Sequence, residues 1–257
     1  MMNLIDSHCH LDFEQFDLTR NEILANCLQL GINDIVVPAV TANSWQKLLS
    51  VCEASPTLHP ALGLHPMFME DHLPEHISKL QQFISKHDTI AIGEIGLDFY
   101  IAEHDKESQT QLFTEQLKIA QQAELPVLLH IRKAHEQTIH LLKNYSISGG
   151  IIHAFSGSLE QAKQYQNLGF LLGVGGAMTH PKATRLRAMI AQLPLSSIAL
   201  ETDAPDMPLH LMKQQHNTPE NITVILDALT ALRTENKDEI AEAITENCQR
   251  VLRLENK

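Results

Sequence analysis

Positive charge is in short supply in this chain: 19 Lys and Arg stand against 31 Asp and Glu, a formal net charge of −12. A surplus of that sign repels phosphate backbones and argues against sequence-independent tracking along a nucleic acid. No apolar run approaches the ~20 residues that cross a bilayer, so no membrane partner is expected. The opening MMNLIDSHCH lacks a basic stretch followed by an apolar one, so no secretory signal is read and a cytoplasmic location is expected. Cysteine is sparse, and Cys9, Cys27, Cys52 and Cys248 form no C-x-x-C pair. Their scatter argues against a disulfide framework or a structural zinc knuckle and leaves reduced thiols. A G-x-G-x-x-G turn after the first apolar run is also missing, and the glycines of GVGGAM near position 175 are wrongly spaced for one. Nothing marks an obligate protein partner.

What is present is an ordinary globular composition, 44% hydrophobic and 19% charged, in 257 residues. That length suits two small domains or one α/β barrel. Eight short apolar runs end in polar or glycine residues: LIDSH, DIVVPAV, HPALGLH, TIAIGEIG, PVLLHIR, GGIIHAF, FLLGVGG and SIALETD. Continuous rather than alternating apolar character predicts strands covered on both faces, hence a parallel sheet. Between them lie helical stripes, such as Phe113, Leu117 and Ala120, or Ile222, Ile225, Leu226 and Leu229. Gly31 and Gly169 follow two of these helices and Pro219 opens the eighth, as helix boundaries require. Strand and helix alternate eight times without a long linker. The expectation is an α/β fold, a single (β/α)8 TIM barrel over residues 1–257, with an additional C-terminal helix carrying Ile240, Ile244 and Cys248. A doubly wound open sheet is the alternative, but it lacks its glycine turn.

In such a barrel the strands deliver their C-terminal ends to one mouth. His8 and His10 stand two apart in LIDSHCHLDF. In an extended segment both imidazoles therefore face one way while Ser7 and Cys9 face the other. Flanking Asp6 and Asp12 are placed to orient the rings as acceptors. The fourth run ends with Glu94, the fifth with His130, the sixth with His153 and the eighth with Asp203. Six ligands exceed what one tetrahedral ion needs, and a carboxylate can bridge two. We expect two divalent metal ions, one on His8, His10 and Asp203, the other on His130 and His153, with Glu94 between them. Imidazole favours zinc, manganese or nickel over magnesium, which prefers oxygen.

These motifs carry a resemblance. DSHCHLD, GLHP at 63–66, GEIGLD at 93–98, HIRKA at 130–134, HAFSGS at 153–158 and ETDAP at 201–205 resemble the TatD family of metal-dependent hydrolases, within the amidohydrolase-like barrels, over essentially the whole chain. The resemblance implies the fold above, divalent metals on the same six residues, magnesium-dependent nuclease activity on DNA in several members, and proton transfer by Asp203. Two departures bear on substrate and leave the metal residues untouched. Asp206 stands where many members have an aromatic residue, and His216-Asn217-Thr218-Pro219 replaces an Arg-Asn-x-Pro turn. GVGG at 173–176 points to the bacterial YjjV-like branch.

Two cations ~3.5–4 Å apart lower the pKa of a shared water toward neutrality. Asp203 is then placed both as ligand and as general base. Arg132, two residues beyond His130, is either a bidentate grip on a phosphate or an ion-paired rim residue. His65, ending the third run, is placed to hydrogen-bond substrate or steady developing charge. Lys133, Lys182, Arg185 and Arg187 read mostly as solvated, and His59, His72, His76, His87, His104, His140, His180 and His210 as surface or rim residues. Phe99 and Tyr100 cover the pocket, stack on a base or simply pack. The expected function is a phosphodiesterase or deoxyribonuclease acting on a nucleic-acid terminus or small phosphodiester. The alternative is hydrolysis of a carboxylic ester or amide, such as an aminoacyl-tRNA ester or a small cyclic amide, at the same site.

Overall fold

Eight parallel strands line up in sequence order: β1 (Leu4–Asp6), β2 (Ile32–Pro38), β3 (Leu58–Leu62), β4 (Ala91–Asp98), β5 (Val127–Arg132), β6 (Gly150–Ile152), β7 (Phe170–Val174) and β8 (Ile198–Leu200). The structure, a computed structural model, describes residues 2–101, 105–210, 212 and 216–254, so His104 lies outside the described residues. Between β8 and β1 the ring is drawn together just beyond the strands. The Ser7 amide donates to the Leu200 carbonyl at 3.0 Å and the Asp203 amide to the His8 carbonyl at 2.8 Å. The fold is the expected TIM barrel, nearly closed. Most strands end sooner than the apolar runs suggest: β1 stops at Asp6, β6 at Ile152 and β8 at Leu200. Their polar last residues leave the ladder to converge on the mouth, so His8, His10, His153 and Asp203 sit in loops, while Glu94 and His130 remain within strands.

Packing follows the period-two rule of strands. One residue from each strand, Ile5, Val36, Ala61, Ala91, Leu128, Ile151, Leu171 and Ala199, joins a single buried cluster inside the barrel. Other strand residues, among them Leu4, Ile35, Val37, Ile92 and Leu129, belong to a second cluster shared with the helices. Eight connecting helices form that outer layer: α1 (Arg20–Gln29), α2 (Trp45–Glu53), α3 (Glu75–Ile84), α4 (Lys106–Ala123), α5 (His135–Leu142), α6 (Leu159–Asn167), α7 (Thr184–Ile190) and α8 (Ile222–Thr230). Phe113, Leu117 and Ala120 of α4 are fully buried, as are Ile222, Ile225, Leu226 and Leu229 of α8. None of the described helices is long and apolar enough to cross a membrane.

The additional helix α9 (Lys237–Leu252) closes the barrel's N-terminal end. It starts at a capping box made by Asn236 and Glu239, which satisfies two amides at the helix start. Asn247 donates to the carbonyls of Leu195 and Ile198 at 2.9 and 3.0 Å, and the Thr245 hydroxyl to Asn3. These bonds hold α9 under the entrances of β8 and β1. Cys248, Val251 and Leu252 consequently complete the inner cluster from below. Leu252→Ala opens a void there and should cost about 2–5 kcal/mol in urea unfolding. A loss under about 0.5 kcal/mol, the range of neutral surface changes, would contradict this role for α9.

Candidate metal centre

The segment after β1 keeps the extended alternation expected of it. The Cys9 amide bonds to the Val36 carbonyl at 3.0 Å and that of His10 to Ala204 at 2.8 Å. Cys9 thereby packs into the outer core, and both imidazoles face the mouth. His8 Nε2 approaches Glu94 Oε2 at 3.1 Å and Asp203 Oδ1 at 3.8 Å, and His10 Nε2 lies 3.7 Å from each of the same two oxygens. Four donors about 2.1 Å from a tetrahedral cation stand about 3.4 Å apart, and His8, His10 and Glu94 lie close enough together to share one divalent ion, with Asp203 beside both histidines. The other oxygen of Glu94, Oε1, faces His130 Nδ1 at 3.2 Å and His65 Nε2 at 3.3 Å. His8 Nε2 and Glu94 Oε1 are buried without a hydrogen-bond partner. Orphaned atoms of this kind fit a cation between them.

Tautomers separate ligands from donors among these rings. His10 Nδ1 lies 3.1 Å from the Pro38 carbonyl, His130 Nε2 3.0 Å from Asp98 Oδ2, and His153 Nδ1 3.1 Å from Glu201 Oε1. The Pro38 and Asp98 acceptors fix a proton on the far nitrogens of His10 and His130 and leave a lone pair facing the centre, the usual arrangement behind metal-bound histidine, whereas His153 Nδ1 faces Glu201 without a hydrogen bond. His65 is the reverse. Its Nδ1 accepts the Met67 amide proton at 3.1 Å, so the proton of the neutral ring sits on Nε2, the nitrogen that lies on the Glu94 side without a hydrogen bond to it. Burial, against the pull of Glu94, lowers the His65 pKa to about 4, and the ring is neutral at pH 7.

Of the residues expected here, His8, His10 and Glu94 come together as one group, Asp203 lies 3.7 to 3.8 Å from both histidines, and His130 joins through the second Glu94 oxygen. His153 stands on the Asp203 side instead, its Nε2 3.5 Å from Asp203 Oδ2 and its ring centre 6.4 Å from that of His130. Arg132 does not reach the cluster. It is 45% exposed, with a guanidinium nitrogen 3.6 Å from Asp98 and its plane over Tyr100. Asp6 and Asp12 do not accept from the His10 ring, which bonds to Pro38. Asp6 instead binds the amides of His8 and Thr202 and the Thr202 hydroxyl, stitching β1 to the loop after β8. Three histidines read as surface residues are also engaged. His76 is buried and accepts the Leu73 amide, His59 pairs with Asp34 at 2.6 Å, and His72 donates to the His65 carbonyl at 2.8 Å.

The charges persist inside the protein. Burial raises the Glu94 pKa, but the surrounding histidines, His65 and His8 foremost, overcome it and hold the carboxyl well below its ordinary range. Asp203 ends near 2 because His153, His8 and His10 outweigh its desolvation. Burial opposes protonation of His153, yet Glu201 and Asp203 raise its pKa well above normal. Ionised carboxylates thus face the centre.

Asp98 and Glu201, both fully buried, were not singled out from sequence. The signal was there: Asp98 lies four residues from Glu94 on one strand and Glu201 two from Asp203, spacings that share a face in extended chain. Glu201 also explains two of the three glycines of GVGG. A Cβ on Gly173 would overlap the Glu201 carboxylate and come 2.9 Å from the Ile152 carbonyl, and one on Gly175 would come 3.1 Å from the Glu201 carbonyl.

A parallel barrel whose mouth gathers imidazoles and carboxylates in this way defines a metal-dependent hydrolase. The chain belongs to the TatD related DNase family, which matches it over residues 5–253. It is 42% identical over 246 residues to the metal-dependent hydrolase YjjV of Escherichia coli K12, covering 95% of both chains. It is 36% identical over 259 residues to a metal-dependent hydrolase of Haemophilus influenzae, covering 96% of this chain and 99% of the other. The crystal structure of the E. coli TatD homologue YjjV superposes with a TM-score of 0.94 at 40% identity, covering 98% of each chain.

Asp98→Asn and Glu201→Gln should each weaken metal binding about 10–100-fold, the usual effect of removing the partner behind a ligand, as read by calorimetric titration. His65→Gln, which removes a donor and not a ligand, should leave the number of bound ions unchanged; a lost ion would contradict the tautomer assignment.

Proposed function

We propose that the protein is a phosphodiesterase, a deoxyribonuclease acting at a nucleic-acid terminus, with two divalent ions as cofactor. The observation that carries this reading is the Glu94 carboxylate, whose two oxygens face separate imidazole groups. In this reading His8, His10 and Asp203 would hold one ion and His130 and His153 the other, with Glu94 shared between them. Zinc, manganese or magnesium bound there supplies an activated water and offsets negative charge on the reacting oxygens.

The chain's own groups do the rest. Asp203 is the least buried of the site carboxylates, at 14% exposure against 2% for Glu94 and none for Glu201. Ionised at pH 7, it accepts a proton on its carboxylate and passes it to the leaving oxygen. The neutral His65 Nε2–H donates to a substrate oxygen at the same centre. Asp98 and the Pro38 carbonyl keep two imidazoles in register, Glu201 lies against a third, and the exposed edge of Arg132 offers paired N–H donors to a phosphate.

A second reading keeps the same centre and replaces phosphate by a carboxylic ester or amide. It is favoured by the partial commitment of Arg132 to Asp98 and Tyr100, since attack on a carbonyl needs no phosphate grip. Asp203→Asn should lower turnover by about 100-fold or more with the circular dichroism spectrum unchanged. Chelation should abolish turnover until metal is restored. Arg132→Ala should depress hydrolysis of labelled DNA and phosphodiesters far more than that of lactones or aminoacyl esters. Carbonyl substrates preferred by the parent protein, with Arg132→Ala silent, would decide for the second reading.

A further inference from the structure

One cation at the mouth, Lys133, is not absorbed by the chemistry above. Tyr100, just past β4, is 56% exposed. The guanidinium carbon of Arg132 lies 4.2 Å from the centre of its ring, and the Lys133 ammonium 5.0 Å from the same centre. The ring's negative face attracts both. Consecutive residues of an extended chain point apart, yet here two like charges meet on one aromatic. The backbone of Lys133 permits it with φ at 52°, a left-handed conformation that costs a residue with a side chain and recurs at functional positions.

These cations are only partly neutralised. Arg132 has Asp98 at 3.6 Å, whereas Lys133 makes no ion pair among the described residues. An unpaired ammonium held on an exposed ring stands out in a chain of net charge −12. The group is also next door to the metal centre, because Gly96 pairs with His130 and Asp98 with Arg132 in the β4–β5 ladder. Asp98 Oδ2 touches His130 and Arg132 alike. Two cations beside an exposed aromatic are what a single strand asks for, a phosphate contact with a surface on which a base can stack.

We infer that Lys133, held with Arg132 against the Tyr100 ring, forms a subsite for the phosphate flanking the scissile linkage of a nucleic-acid strand, with Tyr100 as the positioning residue that gathers the two cations. The inference rests on the phosphodiesterase reading and extends it from one phosphate to two. Lys133 meets the flanking phosphate, and the ring alone, without its hydroxyl, suffices to hold the pair.

The test uses the metal-loaded full chain and a dye-labelled thymidine trinucleotide with slowly cleaved phosphorothioate linkages. A counterpart carries a neutral methylphosphonate at the second linkage. Anisotropy titrations across a salt series should give the charged probe a slope of log affinity against log salt steeper by about 0.7, the value for one single-strand phosphate contact. Lys133→Gln and Tyr100→Leu should remove that difference, and Tyr100→Phe should keep it. Equal slopes for both probes with the parent protein, or a difference that survives Lys133→Gln, would overturn the subsite. Parent turnover of bis(4-nitrophenyl) phosphate, which has no flanking phosphate, is measured alongside. Its absence would count against the phosphodiesterase reading alone, while the slopes still judge the subsite.

Discussion

A single buried carboxylate organises this molecule's chemistry. Glu94 is 2% exposed and remains ionised, with imidazoles at 3.1 to 3.3 Å from both of its oxygens. An isolated carboxylate at that depth would neutralise itself by taking up a proton. Neighbouring histidines prevent this, and two of them are themselves held by acceptors, His10 by the Pro38 carbonyl and His130 by Asp98. The result is a concentration of lone pairs and negative charge that a divalent cation satisfies better than any side chain available.

The barrel exists, in functional terms, to keep that arrangement from relaxing. Asp6, although burial pushes its carboxyl up to about 7, ties the His8 amide to Thr202 and so fixes β1 against the loop that carries Asp203. Asn217 does similar work from the other side, donating to the carbonyls of Thr202 and Met207 at 2.8 and 3.2 Å. It is the asparagine of the His216-Asn217-Thr218-Pro219 segment, so this turn keeps its anchoring residue although the preceding position departs from the family pattern. Below the centre, Gly173 leaves room for Glu201 inside the ring of strands. Aliphatic side chains and the end of α9 fill the remaining interior and keep water from the underside.

Much of this was readable in advance because two simple periodicities carry it. Continuous apolar runs separated by helical stripes give a parallel α/β barrel, and residues at the ends of those runs are bound to meet at one mouth. Several strands are shorter than their apolar runs because a polar residue at the end of a run need not stay paired, and His8, His153 and Asp203 leave the ladder to reach the centre. The acceptors behind the histidines were harder. Asp98 and Glu201 lie on the right faces by spacing, but only the folded register shows which ring each one meets. The role of His65 depends on a backbone amide two residues away, and sequence does not reveal that the Met67 N–H turns back onto Nδ1. Likewise sequence leaves Arg132 open between a phosphate grip and an ion-paired rim residue, and only the fold shows its contacts with Asp98 and Tyr100.

The decisive measurement is anomalous diffraction from crystals of the metal-loaded protein, collected on either side of the absorption edge of the bound element. Two peaks about 3.5–4 Å apart, one against each oxygen of Glu94, are expected. A lone peak remote from Glu94, or none in catalytically active crystals, would contradict the proposal that this carboxylate joins two ions.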